Sequence, residues 1–170
     1  MNVAAEALSR FKIRKLVREF RKAIGCEKME YFPIMQCIEW ILANPENGMD
    51  FEIVDPGEMQ DTYGTTNTEK NVMRIRSDVY EGAVKGRPRD RFTLCHELGH
   101  YILHQPEFMS YARGGIPRYR QPEWQANTFA GELMAPYDLV KDMSIEEIME
   151  KCGMSRQAAT IQYNHIEVNL

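Results

Sequence analysis

His96-Glu97-Leu98-Gly99-His100 is an H-E-x-x-H run, a spacing with a definite chemical reading. On a helix, residues four apart share a face, so two imidazoles can hold one zinc ion while Glu97, turned about 100° away, reaches the attacking water. The flanking stretch DRFTLCHELGHYILH, from Asp90 to His104, predicts that helix. With His96 as zero on a 3.6-residue wheel, His100 falls near 40°, and Leu94, Cys95, Leu98, Tyr101 and Ile102 gather at about 140–260°. One side faces a metal and the other a core. Gly99 costs a helix about 1 kcal/mol relative to Ala, so a backbone element or the substrate is expected to pass close to it. Cys95 turns inward on the wheel and reads as a small core residue rather than a ligand or a switch thiol.

A catalytic zinc site usually takes three protein ligands and leaves one position open. Gln105-Pro106 stands where a metzincin would carry the segment leading to its third histidine, which excludes that class. His104 lies near 80° but a turn further on, and reads as a cap or as a support behind the ligands. A second helix is expected over EWQANTFAGELMA, Glu123 to Ala135, between Pro122 and Pro136. Its apolar stripe of Ala126, Phe129, Ala130, Leu133 and Met134 leaves Glu123 about 50° from the stripe's middle and Glu132 about 130° away. Glu123 is therefore the expected third ligand, with Glu107 and Glu132 as alternatives. Ala126 and Ala130 would let this helix approach the motif helix, and Asn127 could orient a ligand or bond the backbone. With zinc at this site, Glu97 is the expected catalytic general base. Tyr111, Arg113, Tyr119 and His165 are candidates for stabilising the oxyanion, and the sequence picks out none of them.

Other elements must hold these helices. Ala5 to Ile24 reads as an amphipathic helix with Leu8, Phe11, Ile13, Leu16, Val17, Phe20 and Ile24 as its stripe. Its seven basic residues against two acidic ones read as a solvated face, with docking to an acidic partner or nucleic acid as the alternative. A helix is expected over Pro33–Ala43. Phe51–Val54 and Val72–Arg76 read as strands of an antiparallel sheet, with GTTNTEKN between them as a loop or hairpin end. Val72–Arg76 could be an edge strand that pairs with extended substrate, or an interior strand. Ser77–Arg89 reads as a loop, and so does Gln105–Gln121, which would line or cover the cleft or simply connect. Helices over Ile145–Lys151 and Arg156–Tyr163, joined at Gly153 and capped by Ser144 and Ser155, resemble a helix-turn-helix. Arg156 is the only basic residue of the second, so packing or substrate docking is expected of the pair rather than DNA binding.

RFTLCHELGHYILH followed by ExxANTFAGELMAP resembles the ImmA/IrrE family of zinc metallo-endopeptidases, over Val72 to Pro136, with Cys95 as a departure where a smaller residue is expected. The resemblance implies a cytoplasmic peptidase of gluzincin type acting on a helix-turn-helix repressor in mobile elements or stress responses.

The 170 residues, 44 % hydrophobic, suit one metallopeptidase domain over 1–170. Its parts would be N-terminal helices (1–48), sheet and zinc-binding helices (49–136) and a C-terminal helical segment (137–170). The fold class is α+β: a helical bundle with a small antiparallel or mixed sheet, a minimal gluzincin-like domain. Four widely spaced cysteines without a C-x-x-C pair and no signal-like start suggest an intracellular protein with reduced thiols. No apolar run reaches the roughly 18 residues of a membrane span. A formal charge of −4 leaves no global nucleic-acid footprint. The expected function is a zinc-dependent endopeptidase, with one Zn2+ on His96, His100 and Glu123. Its partner would be a protein substrate, a helix-turn-helix repressor, without nucleic acid or membrane. The alternatives are a non-proteolytic anti-repressor and a DNA-binding regulator.

Overall fold

The computed structural model describes residues 2–42 and 44–167. Ala43, the expected end of the second helix, and Met1 and residues 168–170 at the ends of the expected domain lie outside them. The architecture is α+β, with a three-stranded sheet of β2 (Asp50–Val54), β4 (Val72–Arg76) and β3 (Gly64–Asn67) in that order. β2 runs parallel to β4, and β3 antiparallel to it. β4 is therefore the interior strand. Its alternation decides this: Met73 and Ile75 are fully buried, whereas Arg74, on the other face, pairs with Glu52 and Glu58. Of the two readings of Val72–Arg76, edge or interior, the interior one holds, and the edge beside the motif helix is β3. GTTN within GTTNTEKN is that strand rather than a loop, and only the remainder turns.

The motif helix runs from Pro88 to Leu103 (α5) and touches both the sheet, through β3 and β4, and a helix over Pro122–Met134 (α6). Leu94 and Leu98 of α5 meet Phe129 and Leu133 of α6 in one core, all fully buried. A Cβ on Gly99 would stand 3.1 Å from Phe129 Cδ1 and 3.2 Å from the Ala126 backbone. The close approach expected there is the crossing of α5 over α6. Cys95 lies in this core, and burial pushes its thiol up to about 12.

The first helix is α1 (Arg10–Ala23) and does not start at Ala5. Ser9 caps it by accepting from the Lys12 N–H at 3.2 Å. Asn2–Ala5 is instead a strand, β1, paired antiparallel with β5 (Met109–Ala112) inside the segment expected to be all loop. Nor is the basic face simply solvated. Arg14 and Arg21 are buried, while Phe11 and Leu16 of the expected stripe are 65 % and 43 % exposed. Arg21 donates to the Leu133 carbonyl at 2.5 Å and to that of Met29. Arg14 reaches Glu132 of α6.

After α1 come a short helix, α2 (Ile34–Cys37), continued by a wider turn over Ile38–Leu42, and α3 (Pro56–Met59). Ser77–Val84, expected as loop, is helix α4. The chain ends with α7 (Tyr137–Val140), α8 (Ile145–Cys152) and α9 (Arg156–Glu167), and Ser144 with Glu147 forms a full capping box on α8. Buried Arg91 of α5 fixes the C-terminal pair to the motif helix by donating to the carbonyls of Cys152 and Gly153 at 2.9 and 3.1 Å, and to that of Phe32 at 2.7 Å. Among the described residues no helix is long and apolar enough to cross a membrane. The four cysteines are buried and free.

Candidate metal centre

His96, His100 and Glu123 converge. The Nε2 atoms of His96 and His100 lie 3.0 Å apart, and the Glu123 carboxylate approaches them at 3.2 and 3.1 Å. One ligand atom from each lies within 4.8 Å of the others, a group that could hold a metal ion.

The groups behind the imidazoles show whether these donors suit a cation. His96 Nδ1 is 2.8 Å from Asn127 Oδ1. A ring N–H donated to that oxygen leaves Nε2 with its lone pair forward. On the other ring the order is set from buried Gln125. Its Nε2 donates to the carbonyls of Glu6 and Tyr119, both at 2.7 Å, so its Oε1 must accept from His104 Nε2 at 3.0 Å. His104 Nδ1 then accepts from His100 Nδ1 at 2.8 Å, and His100 too presents a lone pair. Burial pushes His104 down to about 4, which keeps it neutral and able to accept. Two lone pairs and a carboxylate aimed at one point require a cation between them, and a divalent metal with nitrogen and oxygen ligands fits the set. A proton on an Nε2 atom fills the same place: hydrogen bonds donated from His100 and His96 then hold the Glu123 carboxylate well below the usual carboxylate range. Burial alone would lower His96, but its bond to Glu123 and the nearby carboxylate charges leave it raised.

Glu97, on the next face of α5, is 5 % exposed and points into the same cleft of about 620 Å³. Thr66 Oγ1 of β3 donates to its Oε2 at 2.6 Å, which leaves Oε1 free to accept. β3 approaches so closely because residue 64 is glycine: a Cβ there would stand 2.9 Å from Glu97 Cγ. Thr68 Oγ1, in the turn after β3, donates to the His104 carbonyl at 2.7 Å and ties that turn to the end of α5.

The two alternative carboxylates are elsewhere. Glu132 is fully buried and held by Arg10 at 3.1 Å and bidentately by Arg14 at 2.9 and 3.1 Å. Glu107 is exposed in the turn Pro106–Phe108. The helical wheel selected Glu123 for an inexact reason, since the Glu123 side chain is 75 % exposed and α6 is buried on nearly every other side. None of Tyr111, Arg113, Tyr119 and His165 lines the cleft around Glu97. Tyr111 borders an adjoining cavity reached past His100 and His104, and His165 a groove on the opposite side. Sequence reasoning missed Thr66 and Gln125, and also Tyr63, which lines the cleft with Arg76 and Arg89 stacked on its ring. GTTN carries no apolar signal, and nothing in the sequence marks a buried glutamine as the end of a hydrogen-bond chain.

Residues 55–162 match the family model Peptidase_M78, described as the IrrE N-terminal-like domain. No curated protein matches the chain.

Proposed function

The chain belongs to the IrrE N-terminal-like family of metallopeptidases, and from that membership we propose that it is a zinc-dependent endopeptidase that cleaves a helix-turn-helix transcriptional repressor in the cytoplasm. The observation that carries the reading is the convergence of His96, His100 and Glu123 beside the carboxylate of Glu97.

Zinc held by His96, His100 and Glu123 would carry net positive charge, acidify a water and polarise the scissile carbonyl. Glu97 accepts the proton of the attacking water on Oε1, while Thr66 fixes Oε2 and so the plane of the carboxylate. The water oxygen bonds to the carbonyl carbon, the carbon–nitrogen bond breaks, and Glu97 returns the proton to the leaving amine. Asn127 and His104 keep the two imidazoles in the required tautomers. β3 pairs with β4 on one side only, and its other edge borders the cleft, where an extended substrate backbone can add as a strand. Cavities continue on both sides of the centre, one sharing His100 and the other sharing Phe92, Thr93 and Asn127. A chain can therefore run through, which suits cleavage within a protein. Free, buried cysteines suit a reducing compartment.

The test is to incubate wild type and Glu97→Gln with the helix-turn-helix repressor encoded nearest the gene, with and without a chelator, and follow the repressor's intact mass. Fragments from wild type alone, abolished by the chelator, are expected. Repressor that is displaced from DNA equally well by Glu97→Gln, and stays intact, would contradict cleavage.

A further inference from the structure

Past Asn127 the cleft opens into a groove of about 660 Å³ between α5, α6 and the outer face of α9. It shares Phe92, Thr93 and Asn127 with the metal centre, so whatever lies in it is continuous with whatever lies beside Glu97. Its apolar surface comes from Phe92, Trp124, Ala158 and Ile161, and Ile161 is 51 % exposed. An isoleucine so exposed beside a half-buried tryptophan is a surface that gains from being covered.

The charges of the groove have one sign. Arg10, Arg89 and Arg118 line it and no carboxylate does, in a chain whose formal charge is −4. Arg10 is neutralised by Glu132 at 3.1 Å. The other two are not. Arg89 lies over the Tyr63 ring, 4.5 Å from its centroid, a stacking that leaves the guanidinium edge open to an acceptor. Arg118, on an exposed turn after β5, forms no ion pair among the described residues, and neither does Arg89.

We propose that this groove is a specificity subsite that takes an extended segment of the protein substrate, adjacent to the scissile bond, in which acidic side chains flank an apolar one. The apolar side chain lies against Trp124 and Ile161, and the carboxylates reach Arg89 and Arg118. The inference rests on the peptidase reading above and adds to it the chemistry of the segment recognised. Arginine suits this task because its fork binds a carboxylate through two parallel hydrogen bonds. Since both arginines are exposed, their effect falls on selectivity and association more than on raw affinity. Aromatic and cationic groups together also suit nucleic acid, but continuity with a centre built to hydrolyse peptides favours a peptide.

Binding is measured apart from catalysis. Zinc-loaded Glu97→Gln is titrated with a fluorescent peptide alternating Glu and Leu and with its counterpart alternating Lys and Leu, at low and high salt. The acidic peptide is expected to bind at least about tenfold more tightly, with an advantage that shrinks as salt rises. Arg118→Glu, at an exposed position, should remove about fivefold of it, and Ile161→Asp should weaken it further. Equal binding of the two peptides, or no response to Arg118→Glu, would overturn the proposal, as would displacement of the acidic peptide by a DNA duplex. If the acidic peptide binds as expected but wild type cuts neither peptide nor any repressor, the groove stands and the peptidase reading fails.

Discussion

Gln125 sets the tautomer of His100 through His104. Gln125 is held by two carbonyls, so it can only accept from His104, and His104 can only accept from His100. The arrangement requires a neutral His104, and its burial has a measurable consequence. An unfolded histidine titrates near 6.5, and His104 in the folded chain at about 4. Above about pH 6.5 both states are neutral and the residue contributes no pH dependence. Between the two values the unfolded chain takes up a proton that the folded chain refuses, so stability falls with falling pH. The loss amounts to about 3 kcal/mol by the lower value. Urea unfolding in the presence of chelator, followed from neutral pH downward, is expected to show this slope in wild type and a shallower one in His104→Asn. Equal slopes would show that His104 is not buried as a neutral ring.

Helix α6 carries two carboxylates with opposite tasks, and a pair of substitutions separates them. Glu132 is buried against Arg10 and Arg14, so Glu132→Ala should destabilise the chain by about 3–5 kcal/mol, because the nearly buried Arg14 loses its partner. The folded fraction should still take up metal. Glu123→Gln should do the reverse: compared with wild type in chelator, its stability stays within about 0.5 kcal/mol, as at an exposed position, while without chelator it no longer takes up metal. Calorimetric melting together with metal analysis of each variant decides, and the opposite pairing would exchange their roles. The two helices of the centre were legible because their periodicity is long and Pro122 and Pro136 bracket the second. β1 and β5 were not, since each four-residue strand is specified by a partner more than a hundred positions away. α4 was hidden by Gly82, which reads as a breaker. In the structure it is the point where α4 presses on α5, and a Cβ there would collide with the Asp90 carboxylate.

At the scale of the molecule, a helical frame built around α5 and α6 carries a short edge strand across the mouth of the cleft. α1 clamps α6 through Arg10, Arg14 and Arg21, and Arg91 ties α5 to the turn between α8 and α9. Of the seven basic residues of α1, open from sequence to a docking role, Arg10, Arg14 and Arg21 are spent on contacts inside the protein, while Lys12, Lys15, Arg18 and Lys22 stay exposed. That could not be read locally, because Glu132 lies more than a hundred residues from the arginines it neutralises. What the frame delivers is a convergent group of three side chains that could hold a metal ion, with the Glu97 carboxylate beside them, and we propose that this group holds a catalytic zinc on which Glu97 acts. The most direct measurement strips wild type and Glu97→Gln of metal, titrates zinc back, and follows bound metal and cleavage of an unfolded protein together. Wild-type activity is expected to rise to a plateau at one zinc per chain. Glu97→Gln should bind the same single equivalent, with activity lower by at least about 10²–10⁴-fold. Activity that survives stripping, or Glu97→Gln as active as wild type, would contradict the account.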